Sequence, residues 1–86
     1  MGNEVEKANI LFKLIRKDNW NNCYDRLEHF KRFPDLREIV SELSNIGWII
    51  VHKKPKFIGI ALNTQFKKEI MDFIEMWMPH LKDRIE

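Results

Sequence analysis

The fold of this chain is decided by residues 35–63, which have the sequence DLREIVSELSNIGWIIVHKKPKFIGIALN. In the first part of this stretch, apolar residues recur at intervals of three and four, which predicts a helix over residues 35–46 with one buried face. Asp35 and Glu38 have the spacing of a capping box at the start of this helix. Gly47 predicts its end, because glycine readily adopts the left-handed backbone angles that terminate helices.

The second part of the stretch predicts a β-hairpin. Residues 48–53 and 57–62 are rich in β-branched and aromatic side chains, which favour strands, and Pro55 favours a turn between them. Apolar residues occur on both faces of this hairpin. One face holds Ile49, Val51, Ile58, Ile60 and Leu62, and the other holds Trp48, Ile50 and Phe57. We expect the second set to be covered by a C-terminal helix over about residues 64–78, which has a continuous apolar stripe.

Two further helices are predicted upstream, over about residues 5–17 and 22–30. The first has apolar residues over more than half of its circumference, so we expect it to contact two apolar surfaces. Asn22 is a predicted N-cap for the second helix, and residues 31–34 form the turn before the third. The chain of 86 residues is therefore expected to fold as one α+β domain over residues 1–86.

Two passages of the sequence are similar to those of a known family. They are Leu43-Ser44-Asn45-Ile46-Gly47-Trp48-Ile49 and Ile60-Ala61-Leu62-Asn63-Thr64. With the predicted order of elements, the chain over about residues 8–64 resembles the winged helix-turn-helix domains of small prokaryotic regulators in the MarR, ArsR and PadR groups. The resemblance implies a winged helix with a three-helix helix-turn-helix core, a two-stranded hairpin wing and an additional C-terminal helix. It also implies a transcriptional regulator that binds double-stranded DNA, either sequence-specifically or as an architectural protein.

The resemblance assigns DNA contacts to polar residues of the third helix, of the turn before it and of the wing. These residues are Lys31, Arg32, Arg37, Ser41, Asn45, Lys53, Lys54 and Lys56. Those of the helix would lie in the major groove, where arginine can recognise guanine and asparagine can recognise adenine. Those of the wing would contact phosphates or the minor groove, and those of the turn would contact backbone phosphates. Glu38 and Glu42 lie on or beside the same helical face, which departs from a plainly basic recognition helix.

The charge distribution is uneven although the net charge is only +2. Residues 31–63 carry six basic and three acidic side chains, and no acidic residue follows Glu42 within that segment. The hairpin tip should therefore carry a local positive field. The alternative is that its lysines only protect a sheet edge from pairing with another strand.

Surplus apolar surface on the first and last helices predicts a homodimer, since large exposed apolar patches mark interfaces. The residues expected at this interface are Leu11, Phe12, Phe73, Ile74, Trp77 and Leu81. A dimer would also double the number of DNA contacts. The alternative is that these helices pack only against each other within one chain.

Other classes of function have little support in the sequence. It contains no catalytic constellation, no glycine-rich phosphate loop and no metal-ligand spacing, so we expect no enzymatic activity, no metal and no cofactor. The single cysteine, Cys23, is expected to be a small buried apolar residue. Without a signal peptide or an apolar run of roughly 20 residues, a cytoplasmic protein without membrane contact is expected. The alternative function is a winged helix that binds another protein and no DNA.

Overall fold

The computed structural model describes residues 4–78, which form an α+β fold of three α-helices and a three-stranded antiparallel sheet. The elements in chain order are α1 (Glu4–Arg16), β1 (Asp25–Arg26), a 3-10 helix (Leu27–Phe30), α2 (Leu36–Asn45), β2 (Ile49–Lys53), β3 (Ile58–Leu62), a second 3-10 helix (Thr64–Phe66) and α3 (Lys67–Trp77). The expected α+β class is therefore confirmed. No helix in this part of the chain is long and apolar enough to cross a membrane.

The first helix has the predicted extent and contacts two apolar surfaces, as expected. Its buried residues are Ala8, Ile10, Leu11 and Leu14. The helix packs against α3 and also against β3. Its wide apolar surface is explained by this position between the last helix and the sheet.

The third predicted helix is confirmed as α2, but its N-terminus differs from the expectation. Asp35 adopts a left-handed conformation with φ of 59° and makes no side-chain hydrogen bond to the helix. The capping box predicted for Asp35 and Glu38 is therefore wrong. An aspartate tolerates these backbone angles better than most residues, which is consistent with its place at a sharp change of chain direction.

Helix α2 ends just before a glycine, as predicted. Gly47 has φ of 89°, its N–H donates to the carbonyl of Ser44, and the N–H of Trp48 donates to the carbonyl of Leu43 at 2.9 Å. These two bonds form a Schellman motif, which satisfies carbonyls that the helix itself leaves unpaired. The chain therefore leaves α2 in a fixed direction and enters β2 directly.

The helix predicted over residues 22–30 is wrong. That segment contains β1 and the first 3-10 helix, and Asn22 caps no helix. Asp25 pairs with Ile60, and the preceding Asn21 donates its N–H to the carbonyl of Leu62 at 2.7 Å. The segment is extended because β3 supplies hydrogen-bond partners for its backbone, and such partners satisfy the polar groups as well as a helix would.

The hairpin is therefore part of a larger sheet and is not a two-stranded ribbon. The strand order is β1-β3-β2, with β3 in the centre. Ile49 pairs with Leu62 and Val51 pairs with Ile60, so these side chains point to one face, and three of them are fully or almost fully buried. That face contributes to the core together with residues of α1, α2 and α3.

The second face of the hairpin is covered by two different parts of the chain. Trp48 contacts Phe73 of α3, with 5.5 Å between ring centroids, as the predicted role of the last helix requires. Phe57 instead lies 5.8 Å from the ring of Tyr24, in the segment just before β1. The expectation that the C-terminal helix covers this whole set is therefore only partly correct.

Asp25 connects α1 to β1 and to the first 3-10 helix. Its carboxylate accepts hydrogen bonds from Lys17 Nζ at 2.9 Å and is 2.7 Å from His29 Nδ1. Burial by itself would raise the pKa of Asp25. The hydrogen bonds from Lys17 and His29, the charge of Lys17 and the N–H of Arg26 outweigh that effect and hold the pKa below its ordinary value.

We expect Asp25→Asn to lower the free energy of unfolding at neutral pH by about 1–3 kcal/mol, because hydrogen bonds to a charged group are lost. Because the folded pKa is depressed, the stabilisation is present above pH 3.8 and is lost as the pH falls through the lower folded value. Urea unfolding across this pH range should therefore show the two proteins converging in acid. The control Asp72→Asn removes an exposed pair with Lys68 and should cost less than about 0.5 kcal/mol. Equal losses for both variants would contradict the role of Asp25.

Candidate nucleic-acid interface

The outward face of α2 carries the three residues that the resemblance assigns to base contacts. Arg37, Ser41 and Asn45 are all exposed and are spaced four residues apart, so they lie along one side of the helix. The three side chains are therefore accessible to a ligand along the helix.

The acidic residues of α2 differ in their surroundings. Glu42 forms an ion pair with Lys7 of α1, with 2.7 Å between Nζ and Oε1. The hydrogen bond from Lys7, followed by the charge of Lys7, lowers the pKa of Glu42. Its negative charge is thus balanced within the fold. Glu38 is exposed on the same helix and remains a negative charge near the outward face.

The lysines of the hairpin tip are all exposed, but they are not equivalent. Lys53 ends β2 and pairs with Ile58, whereas Lys54 donates its N–H to the carbonyl of Phe57 and closes the turn. The Lys54 ammonium also lies 5.3 Å from the centre of the Tyr24 ring. Lys54 therefore has a structural contact of its own, in addition to its charge.

Tyr24 supports the outer face of the hairpin. Its ring lies against Gly59, where an added Cβ would be 2.4 Å from Tyr24 Cδ1, and its centroid is 4.9 Å from that of His52. His52 Nε2 is in turn 2.8 Å from the carbonyl oxygen of Asn21. Only a residue without a side chain lets the tyrosine approach the strand so closely, so Gly59 and Tyr24 together fix the position of the hairpin.

A shallow groove joins α2 to the hairpin, and we call it the α2–hairpin groove. Its lining residues are Leu27, Glu28, Lys31, Leu36, Arg37, Phe57 and Ile58. It brings two of the predicted contact residues, Lys31 and Arg37, next to the start of β3. Phe57 also lines a neighbouring depression with Lys54 and Lys56. Lys31 and Arg37 thus line a groove that shares Phe57 with the depression lined by Lys54 and Lys56.

Arg32 is placed differently from its neighbour Lys31. It lines a separate cleft together with Lys13 and Arg16 of α1, on the other side of the turn at residues 31–34. The prediction did not single out Lys13, Arg16 or Lys17. Their spacing of three and four residues, which places them on one helical face, was the available signal.

The residues predicted for a dimer interface fall into three groups. Leu11 and Ile74 have no exposed surface and belong to the core of the chain itself. Phe12 and Phe73 are half-buried, and Trp77 is 40% exposed. Leu81 lies outside the described residues.

Cys23 is exposed, so the expectation that it is buried is wrong. The residue lies in a turn before β1, where its N–H donates to the carbonyl of Trp20 at 3.0 Å, and not on the buried face of a helix. Within residues 4–78, no group of three His, Cys, Asp or Glu side chains is placed to hold a metal ion.

We expect Gly59→Ala to reduce stability by about 1–3 kcal/mol, because the new methyl group would clash with the Tyr24 ring. In a Tyr24→Ala background the same change should cost at least about 1 kcal/mol less, since the clash is absent. Urea unfolding of the four proteins in this double-mutant cycle measures the difference. Gly47→Ala is the control. Its added Cβ would lie 2.9 Å from Phe66 and not near Tyr24, so the loss of stability should be the same with and without Tyr24. Strictly additive losses for Gly59→Ala and Tyr24→Ala would contradict the proposed contact.

Comparisons of this chain with protein-family models, with curated proteins and with solved structures return no match.

Proposed function

We propose that this chain is a small DNA-binding protein with a winged-helix-like arrangement. In this proposal α2 enters the major groove, and the hairpin tip contacts phosphates or the minor groove as a wing. Regulation of transcription is the role that such binding would serve, with recognition that is either sequence-specific or architectural.

The observation that carries the proposal is the α2–hairpin groove. Arg37 and Lys31 line this groove with the first residues of β3, and Phe57 continues it to Lys54 and Lys56. In this proposal a duplex contacts Lys31 and Arg37 in the groove, which Glu28 also lines, and Lys54 and Lys56 in the adjoining depression. Electrostatic attraction to phosphates supplies most of the affinity of non-specific DNA binding.

The balance of charge on α2 also supports the proposal. The pairing of Glu42 with Lys7 balances one of the two negative charges that would repel phosphate beside the reading face. Arg37 and Asn45 are exposed and have side chains suited to guanine and adenine, respectively. Glu38 is the remaining acid, and it would have to lie away from phosphate or accept a hydrogen bond from cytosine.

The proposal predicts binding of random-sequence duplex DNA with a Kd on the order of 10⁻⁶–10⁻⁴ M at physiological salt. Lys53→Ala/Lys56→Ala should weaken binding at low salt and reduce the slope of log K against log salt by about 2, because each phosphate contact contributes about 0.9. Fluorescence anisotropy with a labelled duplex measures both quantities. Lys54 is left intact because it packs on Tyr24.

The matched control is Lys67→Ala/Lys68→Ala, which removes the same charge from exposed positions at the start of α3. This control should leave the salt slope unchanged. Equal effects of the two variants would mean that only net charge matters, and the hairpin would then have no specific role. Absence of any anisotropy change at low salt would reject DNA binding altogether.

A protein partner is the second candidate function, and one feature of the groove favours it. Its floor is formed by the apolar residues Leu27, Leu36, Phe57 and Ile58, and Ile58 is 40% exposed. An exposed apolar floor suits a partner side chain better than it suits phosphate. This alternative predicts no salt-dependent anisotropy signal with duplex DNA.

We further propose that the chain forms a homodimer through the end of α3. Met76 is 72% exposed and Trp77 is 40% exposed, and Phe73 lies beside them with its ring 6.3 Å from that of Trp77. Aromatic residues and methionine are enriched at protein interfaces. Such a dimer would double the number of basic contacts to a duplex.

Light scattering after gel filtration should give twice the mass of one chain, and Met76→Ser/Trp77→Ser should return it to the mass of a single chain. Val5→Ser is the control and should leave the mass unchanged, because Val5 is similarly exposed, at 46%, but lies at the start of α1. A single-chain mass for the unmodified protein at high concentration would refute the dimer. The DNA-binding proposal would then depend on the anisotropy measurement alone.

A further inference from the structure

A second concave site lies on the side of the turn that faces α1, and we call it the α1 cleft. It has a volume of about 580 Å³, which is within the usual range for small-molecule sites. Its lining residues are Asn9, Phe12, Lys13, Arg16, Arg32, Phe33 and Met78. A smaller depression lined by Lys13, Arg16 and Lys17 adjoins it.

The described residues that line the α1 cleft carry a net positive charge. Three of its lining residues, Lys13, Arg16 and Arg32, are basic, and none of the described residues that line it is acidic. In the described part of the chain, the ion pairs involve other residues, including Lys17, which is bonded to Asp25. Concentrated positive charge in a concave site attracts anions.

Lys13 is the best fixed of these cations. Its ammonium donates to the carbonyl of His29 at 2.9 Å and lies 4.4 Å from the centre of the Phe30 ring. Burial lowers the pKa of Lys13, and the nearby charges of Lys17 and Arg32 lower it further, against the opposing effect of Asp25. An anion in the cleft would relieve this repulsion among the cations.

Aromatic rings flank both guanidinium groups. The guanidinium carbon of Arg16 is 5.9 Å from the centre of the Phe12 ring, and that of Arg32 is 5.3 Å from the centre of the Phe33 ring. The cleft therefore offers charged groups and apolar surface side by side, and Met78 adds to the apolar part. A ligand that matches both needs an anionic group joined to a flat apolar group.

We propose that the α1 cleft binds a small organic anion, namely a phosphate ester of an aromatic or similarly flat apolar group. Arginine matches phosphate through paired N–H donors, and lysine adds a compact positive charge. In this arrangement Arg16, Arg32 and Lys13 hold the phosphate, and the rings of Phe12 and Phe33 contact the apolar group.

The shape of the α1 cleft suits a small molecule better than it suits the backbone of a duplex. A duplex places its phosphates along an extended path, which suits exposed cations on an open surface such as the α2–hairpin groove. The α1 cleft is instead concave, and its lining combines the half-buried Lys13 with the rings of Phe12 and Phe33. Arg32 faces this cleft although its neighbour Lys31 faces the groove.

The test uses 1-naphthyl phosphate as the probe, titrated into the full chain by isothermal calorimetry, with 1-naphthol and inorganic phosphate as comparison ligands. We expect 1-naphthyl phosphate to bind at least about tenfold more tightly than either comparison ligand, because only it uses both parts of the cleft. Arg16→Ala and Arg32→Ala should each weaken its binding by about tenfold or more, through loss of charge-assisted hydrogen bonds.

Arg37→Ala is the matched control, because it removes one exposed arginine from α2 and should change the affinity for 1-naphthyl phosphate less than twofold. Circular dichroism and urea midpoints for each variant establish that it is folded. Absence of binding to the folded unmodified protein would overturn the proposal. Equal weakening by Arg37→Ala, or equal affinities for 1-naphthyl phosphate and inorganic phosphate, would overturn it as well.

Duplex DNA distinguishes this proposal from the preceding one. If Arg16→Ala weakens DNA binding as much as Lys53→Ala/Lys56→Ala but leaves the affinity for 1-naphthyl phosphate unchanged, the cleft belongs to the DNA surface and the ligand proposal is wrong. If DNA does not bind at all, the calorimetric result with 1-naphthyl phosphate still decides whether the cleft is a ligand site.

Discussion

The position of β3 at the centre of the sheet is the constraint on which the other features depend. Its backbone bonds to β2 along one edge and to the segment around Asn21 and β1 along the other. The side chains of Ile60 and Leu62 are fully buried on its inner face. The register of this strand is strongly specified, because a shift by one residue would move Ile60 and Leu62 off the core-facing side of the sheet.

This fixed strand positions two basic surfaces on opposite sides of one short turn. The 3-10 helix that follows β1 leads into residues 31–34, where Lys31 lines the α2–hairpin groove and Arg32 lines the α1 cleft. The carboxylate of Asp25 in β1 contacts His29 of this 3-10 helix and Lys17, the residue that follows α1. A ligand bound on one side of the turn would therefore contact a segment that also forms the other surface.

The net charge of +2 does not show how the charged groups are distributed within the fold. Several acidic groups are paired with lysines, as in Glu42 with Lys7 and Asp25 with Lys17. The ion pairs shown among residues 4–78 do not include Lys31 and Arg37 of the groove or Lys13, Arg16 and Arg32 of the cleft. Cations grouped in this way attract anionic ligands through their local field.

Local sequence patterns were sufficient to predict α1, α2, the hairpin and the C-terminal helix, because apolar spacing and the glycine at position 47 act over a few residues. The same reasoning failed for residues 22–30, where spacing suited a helix but backbone pairing with a distant strand made the chain extended. The placement of Arg32 and Lys31 in different depressions was not predictable for a related reason. Spacing along the chain places Lys13 and Arg16 on one helical face, but only the packing of α1 beside the turn brings Arg32 to them, since that proximity depends on contacts between residues far apart in sequence.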